Sequence, residues 1–267
     1  MKINKSIIYY ILFSFLVLGF FLYARFPSKV VENYLLSTMA ERYPGTFLSL
    51  GSVGLSLPPG LKMKNILFGF KDNPEADIRL DSFKVRPRLL GYLAGHSSFA
   101  VGAVAYGGVM TGRTDFPRLR PEKNPNSAEI RIENLTLEKC DYLKETMGRQ
   151  LSGKLSGVLS YHGASQLDFG IQNGSYQLLE SLLGFNRLDF SKLEGRITLK
   201  DNLLKVNKLQ LKGDKINLSL KGDIVLNPDF KSSAVNLSGT MEVATLNNKK
   251  LSMFITGTIG NVQTRYQ

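Results

Sequence analysis

The chain has 267 residues, 43% of them apolar, which is enough for one large domain or two small ones. Its net charge of +12 suits an anionic surface such as phospholipid headgroups or nucleic acid, although the lysines are scattered over strand faces and turns. A single cysteine, Cys140, excludes an internal disulfide framework, and two histidines, His96 and His162, are too few and too far apart for a zinc or histidine-base centre.

In chain order, the tail "MKINKS" (1–6) precedes an uncharged run from Ile7 to Ala24. As a helix, residues 7–24 span ~27 Å, close to the hydrocarbon thickness, and Tyr9, Tyr10 and Tyr23 lie near the ends where amphipathic rings favour the interface. The competing reading is a cleaved signal peptide. Its apolar core would be shorter and followed by small residues, whereas this run exits through "FFLYARFPSK", with Leu22 and Ala24 the nearest approach to a cleavage pattern. An uncleaved single-pass anchor is expected. Positive charge flanks both ends (Lys2 and Lys5 before, Arg25 and Lys29 after), and a short basic tail on the cytoplasmic side would put the bulk of the chain outside the cytoplasmic membrane.

Residues 25–45 predict a juxtamembrane helix: Pro27 at its start, a stripe of Val30, Val31, Tyr34, Leu35 and Met39, and Pro44-Gly45 at its end. From residue 46 the pattern becomes β. In the amino-terminal half (46–114), "FLSLGSVGLSL" and "LKMKNILFGF" read as strands joined by the turn Pro58-Pro59-Gly60. "ADIRLDSFKVRPR" follows, then a helix or turn at 89–95, then two small-residue strands joined near Gly107-Gly108. The segment 115–127, "DFPRLRPEKNPNS", is a polar connector.

The carboxy-terminal half (128–267) opens with a strand and a short helix at 139–149. A run from Leu151 to Tyr161 then alternates cleanly, with an Asn173-Gly174 turn and a helical turn at 178–184 expected after it. Long strands with short turns at Asp201-Asn202, Gly213-Asp214 and Asn227-Pro228-Asp229 complete an antiparallel meander. The stretch "KINLSLKGDIVLN" shows the pattern best: Ile216, Leu218, Leu220, Ile224 and Leu226 face one way, and Lys215, Asn217, Ser219, Lys221 and Asp223 the other.

So many one-sided strands need a cover, and the few short helices are too small to supply it. Two packed sheets, a closed barrel, or a sheet bent into an open trough would each do. The expected fold is mainly β: an amino-terminal transmembrane helix and a long, curved antiparallel sheet with a few short helices. The apolar groove of such a sheet would be lined by Leu151, Leu155, Leu159, Ile216, Leu218, Leu220, Ile224, Leu226, Val235, Leu237, Met253 and Ile255.

The segments "SLGSVGLSLPPGLKMKNILFGF", "VRPRLLGYLAG", "AYGGVMTG" and "RIENLTLEKCDYLKETMGRQLSGKLSG", in that order behind an anchor and a helix, resemble the type II secretion system protein N family (GspN) in its delta-group bacterial form. The run from "RLDFSKLEGRITLK" to "ITGTIG" is similar as well, so the resemblance covers nearly the whole chain. It implies an inner-membrane-anchored periplasmic component of a secretion apparatus, with other envelope proteins as partners. That family is in turn similar to the AsmA-like proteins, which implies an elongated curved sheet with an apolar groove and phospholipid as ligand. Neither family implies catalytic residues or a cofactor.

The residues themselves suggest no enzyme. Asp168, Asp189, Asp214 and Asp223 sit beside turns or on polar strand faces, and no nucleophile elbow or phosphate loop occurs. His96, His162 and Cys140 read as structural. Nucleic acid is not expected as a partner, because Phe83, Phe99, Phe169 and Phe254 fall on inward strand positions instead of forming a basic stacking platform. Two functions remain: a non-catalytic component of a secretion envelope complex, or a lipid-binding module whose groove shields acyl chains.

Overall fold

The computed structural model describes residues 5–71, 73–88, 91, 95–117, 125–147, 149–182, 185–244 and 249–267. Two helices open it, α1 (Lys5–Ala24) and α2 (Ser28–Arg42). The strands of the first half are β1 (Thr46–Ser56), β2 (Gly60–Phe70), β3 (Asn73–Pro87), β4 (His96–Ala105) and β5 (Gly108–Pro117). Then come β6 (Ser127–Thr136), a 3₁₀ turn at Leu137–Lys139, α3 (Asp141–Met147), β7 (Leu151–Tyr161), β8 (Ser165–Leu182) and β9 (Phe185–Lys200). The chain closes with β10 (Leu203–Lys212), β11 (Ile216–Val225), β12 (Ala234–Val243), β13 (Lys249–Thr258) and β14 (Asn261–Tyr266).

Every strand pairs antiparallel with its neighbour in sequence, giving one 14-stranded sheet in the order β1 to β14. Among the described residues β1 and β14 do not meet, so the sheet is open, neither a barrel nor a sandwich. The two halves expected on either side of 115–127 join directly, β5 to β6, in this one sheet. Residues 118–124 of that connector, and most of the 89–95 turn, lie outside the described residues. An open sheet keeps both faces near solvent. The accessible surface is 17993 Å², against roughly 11,600 Å² for a compact chain of this mass.

Left-handed asparagines adjust the strands. Asn65 (φ 51°), Asn134 (φ 55°) and Asn173 (φ 50°) occupy a region that Asn tolerates better than other side chains with a Cβ. Each offsets the strict alternation, so residues three apart reach the same side. Met63 and Ile66 share one apolar cluster, and Ile132 and Leu135 another. This corrects the expected Asn173-Gly174 turn: β8 runs straight through it as an irregular strand. It also corrects the helical turn expected at 178–184, since 178–182 continue β8.

α2 packs on β1 through Val31, Leu35 and Leu36, which join Leu50, Val53 and Ile66. Val30 and Tyr34, expected in that stripe, are each 67% exposed. A step of one residue turns ~100° around a helix, so the Val31–Leu35 pair and the Val30–Tyr34 pair cannot both face the sheet. α3 fills a gap of a different kind. β4 reaches only Ser82–Pro87 of β3, and α3 packs against β3, with Tyr142 and Phe70 rings 5.9 Å apart.

α1 is twenty residues long, about 30 Å at 1.5 Å per residue, with Tyr9, Phe13, Leu16, Phe20 and Phe21 exposed. Several of its side chains lie outside the described set, and among the described residues no helix is long and apolar enough to cross a membrane.

Candidate functional site: a continuous apolar sheet face

Cross-strand partners in an antiparallel sheet point to the same side, so the registers trace rows across the face. One row starts at Leu55 on β1 and steps through Leu61, Val85, Val101, Gly112 and Ile130. It continues through Leu159, Leu167, Ile197, Val206, Gly222, Leu237 and Ile255 before reaching Thr264 on β14. A parallel row runs from Val53 through Met63, Phe83, Ala103, Met110 and Ile132, and on to Leu220, Gly239, Met253 and Tyr266. At ~4.8 Å between strands these rows are roughly 60 Å long and carry no charge.

The sequence-predicted groove residues fall on this face. Leu159, Leu237 and Ile255 belong to the first row, and Leu220 and Met253 to the second. Leu155 and Leu218 belong to a third row that passes through Ile171, Leu193 and Leu211. Ile224 faces Val235, Ile216 faces Val243 and Leu151 faces Tyr176. Leu226 lies just past β11, its N–H bonded to the Asn202 carbonyl at 2.8 Å.

The set divides by burial. Ile216, Leu220, Val235, Leu237 and Met253 are covered by the protein's own atoms, in clusters centred on Met241 and Val243 and on Val206. Leu151, Leu155, Leu159, Leu218, Ile224, Leu226 and Ile255 are only half-buried, as are Val101, Ile130, Leu167 and Ile197 between β4 and β9. The first row is therefore half-buried from Leu55 on β1 to Ile197 on β9, and it includes residues of the first half that sequence reading had not assigned to the groove. Alternation in "SSFAVGAVAY" marks Phe99, Val101 and Ala103 as one face, and it was the readable signal. Phe254, expected inward, is 41% exposed between Ser238 and Arg265 on the opposite face.

The turns hold the ends of the rows. Leu57, Pro58 and Pro59 connect β1 to β2, and at Gly60, the first residue of β2, a side chain would collide with Val85 and Arg86. Tyr106 (φ 52°) and Gly107 (φ 74°) form the β4–β5 turn, and Gly108 begins β5 pressed against Leu135. Two successive positive φ angles are what a tight hairpin of this hand demands. At the edge nearest α1, the first row opens into a cleft of about 720 Å³ lined by Leu18, Phe21, Arg25, Phe26, Pro27 and Leu55.

The opposite face carries the charge. A shallow cavity of about 660 Å³ there is bordered by Arg131, Asp168, Lys192, Glu194, Arg196 and Lys208. Asp168 accepts from Arg196, and Glu194 pairs with Lys192 at 2.6 Å and Lys208 at 3.8 Å. The bond from Arg196, then that from Gln166, holds the Asp168 carboxyl below the usual carboxylate range, and Lys192 does the same for Glu194. Carboxylates held ionised by adjacent cations are surface ion pairs, poorly suited to proton transfer near neutral pH.

Among the described residues no group of three His, Cys, Asp or Glu side chains converges on a metal position. His162 sits exposed in the β7–β8 turn, and the side chain of His96 lies outside the described set. Cys140 lies beside the Tyr106 hydroxyl at the start of α3. Comparison with family models, curated proteins and solved structures gives no match to this chain, so the resemblance to the type II secretion system protein N family rests on its motifs.

Proposed function

We propose that the chain is a single-pass protein of the bacterial inner membrane whose sheet bends into a periplasmic trough holding phospholipid acyl chains. The observation that carries this reading is the uncharged row from Leu55 to Ile255, half-buried through β4–β9 and opening beside α1. A face of that length left without a protein layer calls for an apolar occupant. Membrane lipid is the nearest one if α1 is an anchor. The anchor is supported by the charge-free sequence 7–24, apolar around its whole circumference, which is the pattern of a helix in lipid.

A second reading treats the chain as a non-catalytic structural component of a type II secretion system. Besides the sequence resemblance, it is favoured by the open outer edges of β1 and β14, where unpaired backbone groups offer partners a strand to extend. The two readings are compatible, and lipid decides whether the first is needed. Protein extracted gently from membranes and examined by native mass spectrometry should carry phospholipid-sized adducts. Leu159→Glu and Ile197→Glu, at half-buried positions, should remove them while far-UV circular dichroism stays β. A stable protein-only mass for the unmodified chain would leave the secretion-component reading standing without the lipid.

A further inference from the structure

We infer that the β1–β2 turn and the adjoining ends of β2 and β3 form a docking tip for an anionic phospholipid surface. This inference rests on the anchor reading of α1.

Lys62 and Lys84 are direct cross-strand partners, an arrangement that destabilises a sheet unless an anion offsets it. Arg86, two residues on from Lys84, lies against the turn at Gly60. Among the described residues none of these three cations has an ion-pair partner, whereas Lys192, Arg196 and Lys208, further along the same polar face, are all paired with carboxylates. Two lysines facing each other with no carboxylate beside them fit an anion that comes from outside the chain.

The same turn presents Leu57 at 79% exposure, the highest among the described large apolar residues, held by two prolines that stiffen it. The neighbouring Leu55 lines the cleft shared with Leu18, Phe21 and Arg25 at the carboxy-terminal end of α1, so the turn lies where an anchored α1 would leave the bilayer. An exposed apolar side chain backed by unpaired cations is the pattern of interfacial binding: Leu57 inserts between headgroups and Lys62, Lys84 and Arg86 meet lipid phosphates. Bulk protein partners suit these features less well, since the tip is small and its apolar part is a single residue.

The chain has no tryptophan, so Leu57→Trp supplies a unique reporter. The full chain would be reconstituted in vesicles of phosphatidylcholine alone and of phosphatidylcholine with phosphatidylglycerol. Docking predicts a blue-shifted emission, quenched by brominated lipid, in the anionic vesicles only. The shift should be lost on raising salt from ~0.1 to ~1 M, where the Debye length falls from ~10 to ~3 Å. Asn202→Trp, in the β9–β10 turn eight strands away, should show neither effect. Lys62→Gln with Lys84→Gln should abolish the shift without loss of thermal stability, because it removes a repulsion. Equal emission in both vesicle types, with the protein floating with both, overturns docking and leaves the anchor intact. Flotation with anionic vesicles only overturns the anchor and keeps docking, and flotation with neither overturns both.

Discussion

The backbone N–H of Arg79 donates to the Tyr106 hydroxyl at 2.9 Å, joining residues 27 apart in sequence. It closes the place where β3 runs on past the end of β4. There Arg79 has no ladder partner on that side, and the β4–β5 turn, α3 and Asp141 crowd in instead. Burial pushes the Tyr106 hydroxyl up to about 12, with Cys140 and Asp77 adding to the shift against the opposing bond from Arg79.

Tyr106→Phe should therefore destabilise the chain by about 0.5–1.5 kcal/mol, as expected for one strand N–H left without its acceptor. The pH dependence has a definite sign. A tyrosine whose folded pKa lies above its unfolded value of about 10 contributes stability that is fully present below pH 10 and lost as the pH climbs toward 12. Thermal melts of the two proteins between pH 9 and 12 should show a steeper alkaline fall in the unmodified chain than in the variant.

Phe169 and Gly195 give a second test. They are cross-strand partners, and a Cβ at 195 would fall inside the Phe169 ring; Phe190 covers Gly174 in the same way. The ring fills the surface that glycine leaves bare, a known device for stabilising glycine in a sheet. Gly195→Ala should cost about 1–3 kcal/mol in urea unfolding through overpacking. Combined with Phe169→Leu, the cost should be less than the sum of the two single changes.

Core and open face should respond differently. Met241 is 1% exposed, and Met241→Ala should cost about 2–5 kcal/mol. Leu159→Ala, on the half-buried middle of the face, should cost visibly less while reducing co-purified lipid. Chemical denaturation paired with lipid extraction checks both halves of that statement.

Tyr266 is a fourth. Its hydroxyl is buried at the β14 edge with no hydrogen-bond partner among the described residues, and burial raises its pKa. Removing an unsatisfied buried hydroxyl should not hurt, so Tyr266→Phe should leave the melting temperature unchanged or raise it.

The alternation of β7, β11 and β12 is legible because period 2 is unbroken there, and it places Leu159, Leu218 and Val235 on one face from the sequence alone. β2 and β6 are harder to read. Asn65 and Asn134 shift the phase within strands, so Met63 and Ile66 look as if they oppose each other although they pack together. Strand order could not be read from composition either, since the alternation is equally compatible with a sandwich, a barrel or an open sheet. What decided it was each strand pairing only with its sequence neighbour, with β1 and β14 left apart. For α2 the expected stripe is one residue too wide: Val31 and Leu35 face the sheet, whereas Val30 and Tyr34 lie outside it.

The central claim is that acyl chains lie along one face of this sheet and not the other. Val158 and Leu159 are adjacent in β7, pairing with Asp168 and with Leu167 on opposite faces. A photo-crosslinking amino acid placed at each position in turn, in membranes containing labelled phospholipid, reads the claim directly. Lipid adducts at 159 with little at 158 are the predicted result. Equal labelling at both positions, or none at 159, would contradict it.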